Sequence, residues 1–416
     1  PQGGPPPATP SRFSFQGSVP DNRVQHVIHI VMDGLRSDYL AKGGPAFSKL
    51  LKEGACTLNA RHDWASSQTL PNHIGMFTGL IVDQHGFSED KDDGGKLVDA
   101  DEHPFENIFD LVAANGGKTG FYGSKDKFAV FDRSWKMDHY EMQLRAKNLV
   151  PIFLEDMNTK LYNFAFLHVR SADRAGHKDS GNGNGGAAKP MYLEAVQEAD
   201  GYLGQVMDLI EQNAGLRGKT AIIVTADHGF ADYGNHGDEQ QYENFRVPFC
   251  VSAPGVAPGA DLAKLNAPSN GGIVVDPGNS RGGEYDPIIR NSYSAVLAAD
   301  FLGIKTSDGP FSNQYLSVGD KPTAAAGSII EASSAEDSEE EDAQEEEADE
   351  KPDKPEDVAH DKLDKPEDQE EEDDEKPDKP EEPTEEAEEI IPLEEEDEWD
   401  IQDQDGPTEE EPSAGF

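Results

Sequence analysis

The chain has 416 residues, with 83 Asp and Glu against 35 Lys and Arg, a formal net charge of −48. Most of that charge is local: from Glu331 to Phe416, 43 residues are acidic and 6 are lysines, whereas the first 330 residues carry 40 acids and 29 bases. A body of that size can bury a large core. It has no basic footprint for duplex nucleic acid and no apolar run near the roughly 20 residues that span a bilayer.

Residues 1–20, rich in Pro, Gly and Ser, read as a flexible leader. Val24–Met32 is a near-continuous apolar strand, of the kind a parallel sheet covers on both faces, and it runs into Asp33-Gly34. Ala46–Glu53 reads as a helix stopped by Gly54. Cys56 and Cys250 are the only cysteines, and their apolar surroundings read as small buried hydrophobes rather than a bridge or a reactive thiol. Ser66-Ser-Gln-Thr-Leu-Pro-Asn-His73 precedes an expected helix at Ile74–Leu80.

Phe105–Asn115 places Phe105, Ile108, Phe109 and Val112 on one helical face, followed by Gly116. Lys118–Tyr122 is a short predicted strand. Asn163–Val169 is a clearer one and leads to Asp173-Arg-Ala-Gly-His177. Met191–Asn213 carries Tyr192, Val196, Ala199, Leu203, Val206 and Ile210 at helical spacing. The strand Thr220–Thr225 leads to Asp227-His228-Gly229 and then Gly234-Asn-His236-Gly237. Val247–Val251 contains Pro248, which points to a strand start or an edge. A last helix, Asn291–Leu302, ends at Gly303.

This alternation predicts an α/β fold, a mostly parallel central sheet flanked by helices, over residues 21–320. Residues 321–416 are low in complexity, with repeats such as Glu350-Lys-Pro-Asp-Lys-Pro-Glu-Asp357, and are expected to be disordered. Ligands of open α/β sheets gather at the carboxyl ends of the strands. Those ends carry Asp33, Asp173, His177, Asp227, His228 and His236. One strand-terminal Asp is ordinarily a helix cap, and one His ordinarily a satisfied structural residue. Together they are six oxygen and nitrogen ligands, enough for two zinc-like divalent ions. Thr69 is the candidate nucleophile, because a hydroxyl becomes competent when a metal holds it as the alkoxide. The competing reading makes Thr69 the cap of the helix that follows.

These motifs in this order resemble the alkaline phosphatase superfamily, in its nucleotide pyrophosphatase/phosphodiesterase branch. The resemblance rests on Val31-Met-Asp-Gly34, Thr69-Leu-Pro-Asn-His73, Thr78-Gly-Leu80, His85-Gly86, the Asp173 to His177 run and Thr225-Ala-Asp-His-Gly229. It implies an alkaline-phosphatase-like fold and phosphoester hydrolysis through a phospho-threonine at a two-metal site. Asp33, Thr69, Asp227 and His228 match the ligands of one ion, and Asp173 and His177 match two ligands of the other. His236 is the best match for that ion's third ligand, and its closeness to His228 looks like the glycolipid ethanolamine-phosphate transferases. The metals the family implies are two divalent ions, expected as Zn²⁺.

Two departures stand out. The Asn that such phosphodiesterases carry after the His-Gly pair is absent from His85-Gly-Phe-Ser-Glu-Asp90, so Lys125 or Lys127 is the candidate substitute for contacting substrate. The sulfatase nucleophile pattern is absent at this position as well. His73 and His85 are expected to support loops, and His26, His29, His62, His103, His139 and His168 are read as structural.

The expected substrate is a small phosphate ester, with a diester favoured over a monoester and phosphotransfer as a third reading. A reading of another class makes the chain an acidic protein whose tail binds Ca²⁺, mineral or basic surfaces. An extracytoplasmic or secreted location is expected.

Overall fold

The computed structural model describes residues 24–178, 185–267, 272–283, 286–304 and 316–319. The expected leader at 1–20 and acidic tail at 321–416 lie outside the described residues. Eight strands form one sheet among them: β1 (His26–Met32), β2 (Ala55–Arg61), β3 (Thr119–Gly123), β4 (His139–Met142), β5 (Phe164–Val169), β6 (Thr220–Thr225), β7 (Arg246–Ser252) and β8 (Ala260–Asp261). Their order is β4-β3-β5-β1-β6-β7-β2-β8. The run from β4 to β6 is parallel throughout. β7 is antiparallel to both β6 and β2, and β8 is parallel to β2.

Every residue of β1, β5 and β6 is buried. That is why these strands read as unbroken apolar runs: helices cover both of their faces. One helix group comprises Pro45–Glu53, Ala146–Lys160 and Pro190–Gln212, and the other Thr69–Thr78, Ile108–Ala114 and Tyr293–Phe301. Helix Pro190–Gln212 buries the predicted stripe from Tyr192 to Ile210. It also buries Asp200, whose carboxylate accepts from the N–H groups of Phe47 (2.6 Å) and Ala46 (3.3 Å). Asp200 thereby satisfies the amino terminus of helix Pro45–Glu53, where Gly44 has no side chain to do so. No described helix is long and apolar enough to cross a membrane.

Two expectations need correction. Pro248 does not lie on an edge: β7 runs between β6 and β2. The β2–β7 register shifts between Thr57 and Ala60, opposite Pro248, and such an irregularity accommodates a residue with no N–H.

Cys56 and Cys250 are not free hydrophobes. They are partners across β2 and β7, with Cα atoms 4.1 Å apart, and form a disulfide. The apolar surroundings were read correctly, but the pairing of two strands 194 residues apart is not visible from either one. A bridge closing so long a loop restricts the unfolded chain strongly. The double variant Cys56→Ala/Cys250→Ala is expected to lose about 2–5 kcal/mol in urea unfolding. An unchanged midpoint would remove the disulfide from the stability of the fold.

Candidate active site

Asp33 follows β1 directly and is buried. The next residue, Gly34, has φ +71°, and a Cβ there would lie 2.9 Å from the Asp173 Cα. Glycine therefore permits both the left-handed turn and the close approach. Its N–H donates to Asp227 Oδ1 at 3.1 Å, while the Asp173 N–H donates to the Asp33 carbonyl at 3.0 Å. Asp173 and His177 stand four residues apart on helix Ser171–His177, so they share a face. Asp227 and His228 follow β6. The structure thus gathers the strand-end residues of β1, β5 and β6 at the carboxyl edge of three neighbouring strands.

Thr69 is the first residue of helix Thr69–Thr78. The residue in the capping position is Gln68, which makes no side-chain cap bond. The Thr69 hydroxyl faces the site, 2.8 Å from Lys125 Nζ and 3.5 Å from His228 Nε2. These contacts weigh against the capping reading of Thr69.

Two pockets result. Asp33, Asp227 and His228 form one, and Asp173, His177 and His236 the other, each with ligand atoms within 4.8 Å of one another. In the first, His228 Nε2 lies 3.4 Å from both Asp33 Oδ1 and Asp227 Oδ2. In the second, Asp173 Oδ1 lies 3.2 Å from His177 Nε2 and 3.5 Å from His236 Nε2. The backbone fixes two of these rings: His228 Nδ1 donates to the Gly229 carbonyl and His236 Nδ1 to the Ser67 carbonyl. Each Nε2 is then left as the lone-pair atom turned inward, the arrangement of metal-binding histidines.

Five buried carboxylate oxygens of the site have no hydrogen-bond partner: both oxygens of Asp33, both of Asp173, and Asp227 Oδ2. Lys125 forms ion pairs with Asp33 Oδ2 and Asp173 Oδ2, and the other three face the pockets. Orphaned buried acceptors beside neutral imidazoles fit divalent cations. The electrostatics agree. Burial and the charge of Asp33 push the Asp227 carboxyl well up. Burial drives the imidazoles of His228 and His236 toward the neutral form. Burial also opposes ionisation of Asp33 and Asp173. Lys125 and His168 nevertheless hold Asp33 well below the usual carboxylate range, and Lys125 and His177 do the same for Asp173.

The two candidate lysines diverge. Lys125 is inside the site, in ion pairs with Asp33 Oδ2 at 2.7 Å and Asp173 Oδ2 at 2.8 Å. Burial opposes its charge, but Asp173, Asp33 and Asp227 more than offset this and keep the ammonium ionised. Lys127 instead pairs with Asp90 Oδ2 at 2.6 Å, and Asp90 Oδ1 accepts from the Leu70 N–H. Lys127 therefore braces the start of the Thr69 helix.

The sequence reading missed His168. It ends in a pair with Asp33 Oδ2 (Nε2, 3.0 Å), while its Nδ1 accepts from the Ser124 hydroxyl at 2.7 Å. Its place at the end of a buried strand beside the one bearing Asp33 was the available signal. His73 Nδ1 donates to the Thr69 carbonyl, and with His168 and Asp227 it forms a third group of metal-capable atoms that shares Asp227 with the first pocket. Asn291 was missed too. Its amide donates to the Asp227 carbonyl and to Asn72 Oδ1, which joins the loop after β6 to the Thr69 helix.

With this geometry in place, comparison with known proteins is decisive. The model of the type I phosphodiesterase/nucleotide pyrophosphatase family matches residues 27–246. The chain belongs to that family. Its relatives include a GPI ethanolamine phosphate transferase 1 from Emericella nidulans, 28% identical over 240 residues, which cover 51% of this chain and 23% of the relative. Human ectonucleotide pyrophosphatase/phosphodiesterase family member 1 is 26% identical over 217 residues, covering 48% and 23%. The chain therefore spans about a quarter of the length of the curated relatives it matches. Among solved structures, an inactive variant of murine ectonucleotide pyrophosphatase/phosphodiesterase 5 in complex with AMP superposes with a TM-score of 0.52 at 16% identity, covering 70% of this chain and 98% of that one. The fold is accordingly that of the alkaline phosphatase superfamily, as the motifs implied.

Proposed function

We propose that this family member is a metal-dependent phosphoesterase that cleaves a phosphodiester or pyrophosphate through a phospho-threonine at Thr69. The observation that carries the reading is the convergence of three orphaned carboxylate oxygens and three imidazoles beside the Thr69 hydroxyl. Asp33, Asp227, His228 and Thr69 would hold one divalent ion, and Asp173, His177 and His236 the other, with Zn²⁺ the ion this donor set suits. When bound, such ions supply Lewis-acid charge to the reacting oxygens.

The protein's own groups then have distinct tasks. Thr69 Oγ1, its proton released to water, forms the bond to phosphorus as the bond to the leaving oxygen breaks in line, and the leaving oxygen takes a proton from water. Water later cleaves the phospho-threonine and restores the hydroxyl. The Asp and His side chains hold geometry and need not act as acids or bases. The first turn of helix Thr69–Thr78 offers an anionic group its dipole. One of its donors, Leu70 N–H, is already taken by Asp90.

A second reading, phosphotransfer to an alcohol, is favoured by the relatives named as ethanolamine phosphate transferases. The disulfide fits an oxidising compartment, which supports an extracytoplasmic location. Rates on a bis-aryl phosphate and an aryl monophosphate, each with and without ethanolamine, test the proposal. The diester is expected to turn over faster, with water as acceptor. A monoester preferred by orders of magnitude defeats the diester reading, and product passing mainly to ethanolamine makes the enzyme a transferase.

A further inference from the structure

Lys125 follows β3 and its side chain is almost wholly buried. It is held from several sides. Ser124, its neighbour, is tied through its hydroxyl to His168 and through its carbonyl to Arg170. The Lys125 carbonyl accepts from the Phe128 N–H, which closes the turn. This support fixes where the ammonium goes.

The oxygens it meets are specific. In both Asp33 and Asp173, Oδ1 faces the histidines of a pocket, while Oδ2 faces Lys125. The lysine and two divalent ions therefore draw on different lone pairs and can be present together. Lys125 also donates to Thr69 Oγ1 at 2.8 Å, the atom that attacks phosphorus in the proposed reaction.

The geometry points to Lys125 as a third, permanent cation of the site: it joins the two metal pockets through their outer carboxylate oxygens and fixes the nucleophilic oxygen of Thr69. This rests on the two-metal reading above and deepens it. Three carboxylates alone would face two divalent ions with three negative charges. Lys125 cancels one of them, so the loaded site is one unit more positive beside the reacting oxygen. That charge has two opposite consequences. It favours the anionic transition state and a correctly aimed Thr69, so it raises turnover. It repels the incoming divalent ions at short range, so it weakens their binding.

Opposite signs make the inference testable with a readout besides activity. In Lys125→Met, zinc affinity, measured by competition with a chromophoric chelator, is expected to rise about 10-fold or more. Turnover of a bis-aryl phosphate is expected to fall about 100-fold. Lys125→Arg keeps the charge and alters its placement. Its zinc affinity should stay near that of the wild type, and its turnover should fall.

A merely structural lysine predicts the reverse, since a loosened site binds metal more weakly. Zinc affinity unchanged or weakened in Lys125→Met overturns the inference, and so does turnover within about threefold of the wild type. If the Met variant does not fold, Lys125→Gln keeps a neutral donor to the same carboxylates and serves the same comparison. Failure of the underlying reading looks different: there the wild-type protein itself binds no divalent metal.

Discussion

Thr69→Ala is expected to abolish phosphoester turnover, by at least about 10⁴-fold in kcat, while the protein stays folded and retains nearly all its metal. Thr69 Oγ1 is buried and lies between Lys125 Nζ and His228 Nε2. Removing the oxygen deletes the atom that bonds to phosphorus. It deletes one ligand from the first pocket, which keeps the carboxylates of Asp33 and Asp227 and the imidazole of His228. The helix should tolerate the change, because the Thr69 hydroxyl makes no capping bond and alanine is a good helix former. Steady-state rates alongside metal content by elemental analysis check both halves. Turnover near the wild-type level would end the nucleophile assignment. Loss of activity together with loss of both metals would recast Thr69 as a ligand alone.

Asp173→Asn should give the second large effect, of another kind. Among the described residues, Asp173 supplies the only carboxylate of its pocket, alongside His177 and His236. Asparagine keeps the shape and removes the charge. Two imidazoles with a neutral amide hold a divalent ion far more weakly than a set containing a carboxylate. The variant is expected to bind one metal equivalent where the wild type binds two, and kcat should fall by at least about 10³-fold. A variant that keeps two tightly bound equivalents would show that Asp173 is not a ligand. The contrast with Thr69→Ala is informative: one variant stops the reaction with the metals in place, and the other stops it by emptying a pocket.

How much was legible in the sequence varied with the range of the interaction. β1, β5 and β6 were readable because full burial on both faces makes a strand continuously apolar. The residues just after them were readable because a parallel sheet delivers successive strand ends to one edge. Less was visible wherever two distant segments had to meet. The pairing of Cys56 with Cys250 depends on β2, an unpredicted strand with half-buried positions in its middle. His168 reads alone as one more apolar-strand residue, and its role appears only when β5 lies beside β1 and Ser124 comes up from β3. Lys125 was a candidate, with Lys127, only as a substitute for the Asn missing after His85-Gly86. Only the folded chain brings it to Asp33, Asp173 and Thr69. The helix predicted over Phe105–Asn115 is shorter, Ile108–Ala114, for a local reason. Phe105, predicted as helical, precedes the capping residue Asn107, whose side chain accepts from Asp110 N–H and starts the helix at Ile108.

The most direct test of the central claim is metal dependence in the 416-residue chain. Dialysis against a chelator should remove two equivalents of divalent metal and all phosphodiester turnover, and adding Zn²⁺ back to two equivalents should restore the rate. Undiminished turnover by protein shown to contain no divalent metal would contradict the account.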